Sequence, residues 1–293
     1  MISLSHVAKS FGEINVLEDV TFTLKAGDRA SLLGPGGCGK STILKMLLGL
    51  VKPDRGHVML MGTEMVKATD DEKQKVLRKV GMAFQQGALF DFMTVKDNLA
   101  FAMEHMTDLA PEAMEERIRT LLEGVKLGKT ADLFPYELSG GMQRRVGIAR
   151  ALATDPEVAI FDEPTAGLDP VTSTIILNMI LQLSRARAGT TSLIATSNVE
   201  IALRFADRVL MVNDGSIVAD GMWRELLLKG SDWVRNFLSV RLIGLDFDYA
   251  KGLNLPAEFL ETWWDQDGTP RKPAVAPTLQ PRTPGVPPAT ERN

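Results

Sequence analysis

A glycine-rich segment near the N-terminus constrains the fold of this chain more than any other feature. Residues 34–42 read GPGGCGKST, and they follow the apolar run 30–33 and precede a helical pattern over 41–50. Glycines let successive backbone N–H groups turn toward phosphate, and the start of a helix adds a positive dipole. The segment therefore predicts a strand, a phosphate-binding loop and a helix, in that order.

Each residue type in this loop suits a contact with phosphate or with a metal ion. Lys40 is expected to reach the terminal phosphates of a nucleotide, and Ser41 can ligate Mg²⁺. The other predicted nucleotide contacts are Gly34, Gly37, Cys38, Gly39 and Thr42. Cys38 is the single cysteine of the chain, so no internal disulfide can form, and its place near helix N–H groups predicts an activated thiol. The structural alternative is a glycine-rich turn that only caps a helix.

Short apolar runs alternate with helical patterns through the rest of the chain. The later predicted strands are 80–84, 158–161, 192–196 and 209–212. The later predicted helices are 111–123, 142–153 and 172–185. The last three predicted strands are apolar almost throughout, as is typical of strands covered on both faces. The alternation of strands and helices therefore predicts an α/β fold around a parallel sheet. Asp214 and Gly215 lie between two apolar arms and predict a hairpin.

Two adjacent carboxylates end the predicted strand at 158–161. Because successive strand residues point in opposite directions, Asp162 and Glu163 would face different atoms. Asp162 can hold Mg²⁺ through water, and Glu163 can polarise a water that attacks the γ-phosphorus. Such a pair alone is typical of a solvated strand end, but together with a phosphate loop it predicts ATP hydrolysis.

A second anion-binding helix start lies about 100 residues after Lys40. Residues 138–143 read LSGGMQ, and a serine followed by two glycines at the start of a helix is a site of the same physical kind as the first. The segment closely resembles the signature of ATP-binding cassette (ABC) ATPases. The resemblance covers residues 1–240, about four fifths of the chain, and implies a P-loop NTPase fold with a RecA-like core, an N-terminal antiparallel β subdomain and a helical subdomain inserted at about 90–150.

The resemblance to ABC ATPases also implies roles for single residues. Ser139, Gly140 and Gly141 would close on ATP held by the opposite subunit of a head-to-tail homodimer. Phe11 would stack on adenine, although a Phe between valines is often a core residue. Gln85 would sense Mg²⁺, the attacking water and the transporter, with Gln86 beside it as a second candidate. Asp169 matches the loop that contacts the other subunit. ATP and Mg²⁺ are the implied cofactors.

One position departs from the family pattern. Members commonly carry a histidine after the strand that follows the paired carboxylates, where it contacts the γ-phosphate, but here Ser197 occupies that place. His6, His57 and His105 lie elsewhere in the sequence. A serine donates one hydrogen bond and carries no charge, so we expect hydrolysis to persist but to be slow. The alternative is a nucleotide-dependent clamp with almost no turnover.

Charge and composition limit where such a protein acts. Lys and Arg total 33 against 37 acidic residues, a net charge of −4, so binding to nucleic acid through bulk charge is excluded. No apolar run is long enough to span a bilayer, so we expect the chain to act at a membrane by docking on other proteins. Seven prolines between residues 270 and 288 predict a disordered tail over 268–293. Residues 241–267 are expected to form a C-terminal extension that contacts a partner or packs on its own domain.

The segment after the predicted strand 80–84 points to a transport system. Residues 84–101 read FQQGALFDFMTVKDNLAF, and they are similar to the cassette subunit of Mla and related MCE-type lipid transport systems. This resemblance implies phospholipid transport between bacterial membranes, with a membrane permease, an MCE-domain lipid-binding protein and a STAS-domain partner, and a location on the cytoplasmic face of the inner membrane. Leu89, Phe90, Phe92 and Met93 would form the permease-contacting face, or else pack into the helical subdomain. The alternatives are a cassette for a small solute such as an amino acid, and a soluble ATPase of translation or DNA repair.

Overall fold

The computed structural model describes residues 1–186 and 189–242 of the chain. Its contacts divide the chain into two units, residues 1–226 and the residues from Leu227 onward. Nearly all of the predicted extension at 241–267 and all of the predicted tail at 268–293 lie outside the described residues. The domain limits at residues 240 and 267 therefore stay predictions.

Ten strands form one mixed sheet in the first unit. They are β1 (Ile2–Phe11), β2 (Ile14–Leu24), β3 (Arg29–Leu33), β4 (Arg55–Leu60), β5 (Thr63–Glu64), β6 (Val80–Ala83), β7 (Val158–Asp162), β8 (Thr191–Thr196), β9 (Arg208–Asn213) and β10 (Ser216–Met222). Their order across the sheet is β5-β4-β1-β2-β10-β9-β3-β8-β7-β6. The five strands predicted from apolar runs are β3, β6, β7, β8 and β9, and these five pair in parallel.

Nine α-helices lie among the described residues. They are α1 (Lys40–Leu47), α2 (Asp70–Leu77), α3 (Val95–Met106), α4 (Pro111–Gly124), α5 (Gly140–Leu152), α6 (Pro170–Ala186), α7 (Val199–Phe205), α8 (Trp223–Lys229) and α9 (Asp232–Leu242). Every residue of β7 and of β8 is buried, as the uninterrupted apolar runs predict for strands covered on both faces. None of the described helices is long and apolar enough to cross a membrane.

The other half of the sheet is antiparallel. β1 pairs with both β2 and β4, and β4 pairs with β5. β9 and β10 form the predicted hairpin, in which Asp214 and Gly215 adopt φ values of +44° and +74°. Two successive positive φ values give the turn that matches the twist of the strands, and this explains the Asp-Gly pair. The predicted fold class, with an N-terminal antiparallel β subdomain beside a parallel core, is confirmed.

A group of helices interrupts the alternation of strands and helices between β6 and β7. α3, α4 and α5 share an apolar core that includes Leu99, Ile118, Leu122 and Val146. α3 begins with a reciprocal capping box between Thr94 and Asp97. These helices form the inserted helical subdomain expected from the sequence.

The unit from Leu227 onward is described as far as Leu242, through the end of α8 and the whole of α9. Within α9, the rings of Trp233 and Phe237 stack with centroids 5.1 Å apart, as residues one turn apart on a helix can.

Candidate nucleotide-binding and catalytic site

The parallel strands bring the candidate residues to one edge of the sheet. β3, β6, β7 and β8 run in the same direction, so the residues that follow them all lie at the carboxyl ends of the strands. The phosphate loop follows β3, Gln85 follows β6, Glu163 follows β7 and Ser197 follows β8. This edge is where ligands bind in open α/β sheets.

The glycines of the phosphate loop are required by close packing and by backbone conformation. A Cβ on Gly34 would lie 2.1 Å from the carbonyl oxygen of Val212. Gly39 has φ of +101°, and a Cβ there would lie 2.4 Å from a methyl group of Leu17. α1 begins directly after Gly39 with no side-chain cap, so its first N–H groups face the loop without a competing side-chain acceptor.

Lys40 is buried and held by the loop itself. Its ammonium group donates to the carbonyl oxygens of Gly34 and Pro35, both at 2.9 Å, and lies 3.5 Å from Oε1 of Glu163. The side chain is 5% exposed. A buried cation with fixed direction at the start of a helix is suited to binding a phosphate group.

Ser41 and Asp162 form the second contact between the loop and β7. The hydroxyl of Ser41 donates to Oδ1 of Asp162 at 3.1 Å. Burial raises the pKa of Asp162 above its ordinary value, and the Ser41 hydrogen bond opposes this only in part. A hydroxyl and a desolvated carboxylate are hard oxygen ligands of the kind that Mg²⁺ prefers, so the pair fits the predicted metal site.

Glu163 adopts an unusual backbone conformation at the end of β7. Its φ is +43°, a region that residues with a side chain rarely adopt. The backbone N–H of Glu163 donates to the carbonyl oxygen of Ala195 at 2.8 Å, and Oε2 accepts from the hydroxyl of Thr196 at 3.2 Å. Both the backbone and the carboxylate of Glu163 are therefore attached to β8.

Ser197 is exposed, and its hydroxyl makes no hydrogen bond within the described part of the chain. The three histidines lie on other elements: His6 on β1, His57 on β4 and His105 on α3. None of the three histidines lies on β8 or in the residues that follow it, in agreement with the departure seen in the sequence.

The thiol of Cys38 differs from the activated thiol that the sequence predicts. The thiol is partly buried, and this burial raises its pKa above the ordinary value, although Lys40 Nζ lies 4.0 Å away and acts in the opposite direction. The raised pKa leaves less thiolate at neutral pH. The prediction of an activated thiol was therefore wrong, since burial outweighs the local positive charge.

The segment that carries Gln85 is attached to α5. Nε of Arg144 donates to the carbonyl oxygen of Gln85 at 2.9 Å, and Arg150 donates to that of Gly87 at 3.1 Å. Arg144 also donates to the carbonyl oxygen of Ala166 in the loop after β7. The side chains of Gln85 and Gln86 are both exposed, and both residues follow β6 at the carboxyl edge of the sheet.

A buried asparagine organises the next few residues of the same loop. Oδ1 of Asn98 accepts from the N–H of Phe90 at 2.8 Å, and its Nδ2 donates to the carbonyl oxygens of Phe90, Met93 and Thr94 at 3.0–3.2 Å. Leu89 packs against the helical core, whereas the side chain of Phe92 is 76% exposed. The apolar segment thus follows both alternatives, because part of it packs inward and part of it faces out.

The second predicted anion site is exposed at its first two residues and half-buried at Gly141, and the two remaining candidates are exposed. Ser139 caps α5 by accepting from the N–H of Met142 at 3.3 Å, and Gly140 follows it at the helix start. Asp169 caps the start of α6 by accepting from Thr172 N–H at 2.9 Å, and hydrogen bonds from the hydroxyl and from the backbone N–H of Thr172 lower the pKa of Asp169. Phe11 is 49% exposed at the end of β1, so it is not a core residue.

Sequence reasoning missed Thr196, Asn98 and Arg144, which hold the candidate residues in place. Thr196 could have been suspected because it ends a buried apolar strand directly before Ser197. Asn98 is a polar residue at a core position of an amphipathic helix, which is a sequence signal. For Arg144 no signal exists in the sequence, because its acceptors are carbonyl groups of two distant loops.

Comparison with known proteins agrees with this geometry. Residues 17–166 match the model of the ABC transporter family. The chain is 38% identical over 243 residues to the probable ribonucleotide transport ATP-binding protein mkl of Mycobacterium tuberculosis, which covers 83% of this chain and 67% of the relative. It is 34% identical over 238 residues to the intermembrane phospholipid transport system ATP-binding protein MlaF of Haemophilus influenzae, covering 81% of this chain and 90% of the relative.

A solved structure shows the same fold. The ATP-binding cassette MJ0796, in a dimeric post-hydrolysis state bound to ADP and Pi, matches with a TM-score of 0.70 and 33% identity over 76% of this chain and 98% of that one. The family match, the relatives and the shared fold agree with one another, and this chain is an ATP-hydrolysing member of the ABC transporter family.

Proposed function

We propose that this chain is the ATP-hydrolysing subunit of a bacterial inner-membrane transporter that moves phospholipid between membranes. The observation that carries the proposal is the similarity to the phospholipid transport protein MlaF, which extends over 90% of that relative. We place the chain on the cytoplasmic face of the inner membrane, with a permease, an MCE-domain lipid-binding protein and a STAS-domain protein as partners. Transport of ribonucleotide, the substrate in the name of mkl, is the competing function.

In the proposed reaction, the phosphate loop binds ATP and Glu163 acts on water. Lys40 and the first N–H groups of α1 hold the terminal phosphates. Glu163 accepts a proton from the water that attacks the γ-phosphorus, and the leaving group is ADP. Ser41 and Asp162 would hold Mg²⁺, with Gln85 nearby at the same edge of the sheet, and the ion would neutralise charge on the phosphate oxygens.

The site is completed by a second copy of the chain in this proposal. Ser139 and Gly140 are exposed at the start of α5, with the half-buried Gly141 beside them, so this helix start would bind the γ-phosphate of ATP held by another subunit. Asp169 lies in the exposed loop before α6 and would contact that subunit, and Phe11 would stack on adenine. The dimeric cassette MJ0796 supports this arrangement.

Slow turnover is part of the proposal because Ser197 offers no charge to the γ-phosphate. Ser197→His is expected to raise kcat about ten- to a hundred-fold, since a charge-assisted hydrogen bond contributes about 1.5–3 kcal/mol. The measurement is steady-state phosphate release by the purified chain. If kcat is unchanged in Ser197→His while Ser197→Ala abolishes turnover, the serine is a full replacement and slow turnover is wrong.

The permease would contact the exposed part of the loop before α3. Phe92 is 76% exposed, and the centroid of its ring lies 5.7 Å from that of Phe90. The ring of Phe90 in turn has its centroid 5.2 Å from that of Phe101. Such a set of rings on a loop fixed by Asn98 is suited to receive an apolar segment of another protein.

The test is to purify a tagged copy of the chain gently from native membranes and identify the co-purifying proteins and lipids by mass spectrometry. We expect a permease, an MCE-domain protein and bound phospholipid. Phe92→Ser should lose the permease, while Val218→Ser, which changes an exposed apolar residue on β10, should retain it. Recovery with ribosomes or DNA, or with a permease that binds ribonucleotide or amino acid instead of lipid, would overturn the lipid proposal.

A further inference from the structure

The pairing of β7 with β8 brings two residues together that are 33 positions apart in sequence. Asp162 pairs with Ala195 in the parallel register. The residues that come next in the chain, Glu163 and Thr196, therefore meet at the carboxyl ends of the two strands. Oγ1 of Thr196 lies 3.2 Å from Oε2 of Glu163. Thr196 is completely buried, so water does not compete for its hydroxyl.

The direction of this hydrogen bond follows from the second partner of the hydroxyl. The backbone N–H of Asn198 lies 3.1 Å from Thr196 Oγ1, and an amide N–H can only donate. The hydroxyl oxygen therefore accepts from Asn198, and its single proton is directed to Glu163. Oε1 of Glu163 is left on the side of Lys40, at 3.5 Å from Nζ.

We propose that Thr196 is a positioning residue that orients Glu163, so that Oε1 is the oxygen that accepts the proton from the attacking water. The inference rests on the proposed role of Glu163 as the general base. Ser197 makes no hydrogen bond in the described part of the chain, and no histidine follows β8, so the hydroxyl of Thr196 is the side-chain contact that β8 provides to this carboxylate. A fixed carboxylate does not need to reorganise when the proton is transferred.

The test compares valine substitutions at the two ends of β8. Thr196→Val keeps the shape of the side chain and removes the proton donated to Glu163. Thr191→Val is the matched control, because Thr191 is equally buried and its hydroxyl also bonds twice, to Gly27 N–H at 3.0 Å and to Lys25 O at 3.4 Å. Steady-state ATP hydrolysis and ATP affinity of the full chain are measured for both variants.

We expect Thr196→Val to lower kcat about ten- to a hundred-fold while KM and ATP affinity change less than about two-fold. Thr196→Ser, which keeps the hydroxyl, should restore most of kcat, and Thr191→Val should retain it. If Thr196→Val does not fold, Thr196→Cys serves with the same expectation, because S–H is only a weak donor.

Two results would overturn the inference, and they differ from failure of the proposed function. An unchanged kcat in Thr196→Val, or an equal loss in Thr196→Val and Thr191→Val, would leave Thr196 without a positioning role. Full turnover in Glu163→Gln would instead overturn the proposed role of Glu163. In the Glu163→Gln background, Thr196→Val should cause no further loss, since the two residues would act as one unit.

Discussion

Asp162 is a residue at which metal binding and stability oppose each other. Its side chain is 8% exposed, and burial raises its pKa, which means that the folded chain disfavours the charged form. Ionisation of Asp162 therefore lowers the free energy of unfolding. This effect is present in full above the raised pKa and disappears as the pH falls to the unfolded value of 3.8.

We expect Asp162→Asn to raise the melting temperature of the nucleotide-free chain at neutral pH, because the variant places no charge in this buried position. The difference should vanish as the pH falls below 3.8, because Asp162 is then protonated in both the folded and the unfolded chain. The same variant should lose Mg²⁺-dependent ATP hydrolysis. Thermal unfolding followed by circular dichroism, at several pH values, is the measurement.

Asp54 provides a control of opposite sign. It is exposed, and its hydrogen bonds with Lys9 and with the N–H of Ser10 lower its pKa. Asp54→Asn should therefore lower the melting temperature at neutral pH, and this loss should shrink as the pH falls through the lowered pKa. If both variants change the melting temperature in the same direction, the argument from burial at Asp162 is wrong.

At this scale, the sequence predicts contacts between neighbours and misses contacts that depend on strand pairing. Lys40 and Ser41 were found because six residues of loop fix their surroundings. Thr196 was not found from the sequence, because its hydrogen bond to Glu163 depends on the register of β7 against β8. Cys38 was misjudged for a related reason, since burial depends on the chain packed around it.

Among the elements, α5 depends on the closest packing contact described. A Cβ on Gly81 of β6 would lie 1.8 Å from the carbonyl oxygen of Ala151 on α5, and one on Gly147 would lie 2.8 Å from Cα of Gly87. α5 thus approaches β6 and the loop after it at backbone distance. The same helix carries the Ser139 site at its N-terminus and holds the Gln85 segment through Arg144.

Gly81→Ala is expected to destabilise the chain by about 2 kcal/mol or more, because a backbone carbonyl cannot move aside as a flexible side chain can. Gly124→Ala, at the end of α4 with no atom near its Cβ, should instead stabilise by about 0.5–1 kcal/mol. Urea unfolding of both variants is the measurement. Equal effects from the two substitutions would contradict the close approach of α5.

Elements were predicted well where one pattern dominates and poorly where it does not. The five parallel strands are uninterrupted apolar runs, so their existence followed from hydropathy. β1 and β2 mix exposed and buried residues with several register irregularities, so hydropathy predicts neither strand, and only the family resemblance implied an antiparallel subdomain there. The hairpin of β9 and β10 was predictable because two residues determine its turn.

For the whole molecule, the exposed start of α5 is the feature that concerns assembly. We expect ATP to convert the Glu163→Gln variant from a monomer of 32.0 kDa to a dimer, because ATP that is not hydrolysed would remain between the two subunits. Ser139→Glu in the same background should prevent dimerisation by placing negative charge where the γ-phosphate would bind. Sedimentation with and without ATP is the measurement.

Thr69→Glu serves as the control, because Thr69 also caps a helix, α2, through its side chain. It should lose a helix cap of the same kind but still dimerise with ATP. Equal loss of dimer in both variants would show that the effect comes from helix capping and would contradict the second anion site. Assembly could be predicted from sequence only through the family signature, since the hydropathy pattern of one chain does not identify the surface that meets a second.

The buried Asn98 fixes the backbone of the loop at residues 90–94 without using the side chains that the loop exposes. Four hydrogen bonds from one amide fix the backbone of residues 90–94, while Asp91 and Phe92 project outward without taking part. The exposed residues can therefore diverge during evolution while the loop keeps its course toward Gln85. In the proposed contact with a permease, substitutions at Asp91 and Phe92 would change the surface offered to the partner and leave the hydrogen bonds of Asn98 unchanged.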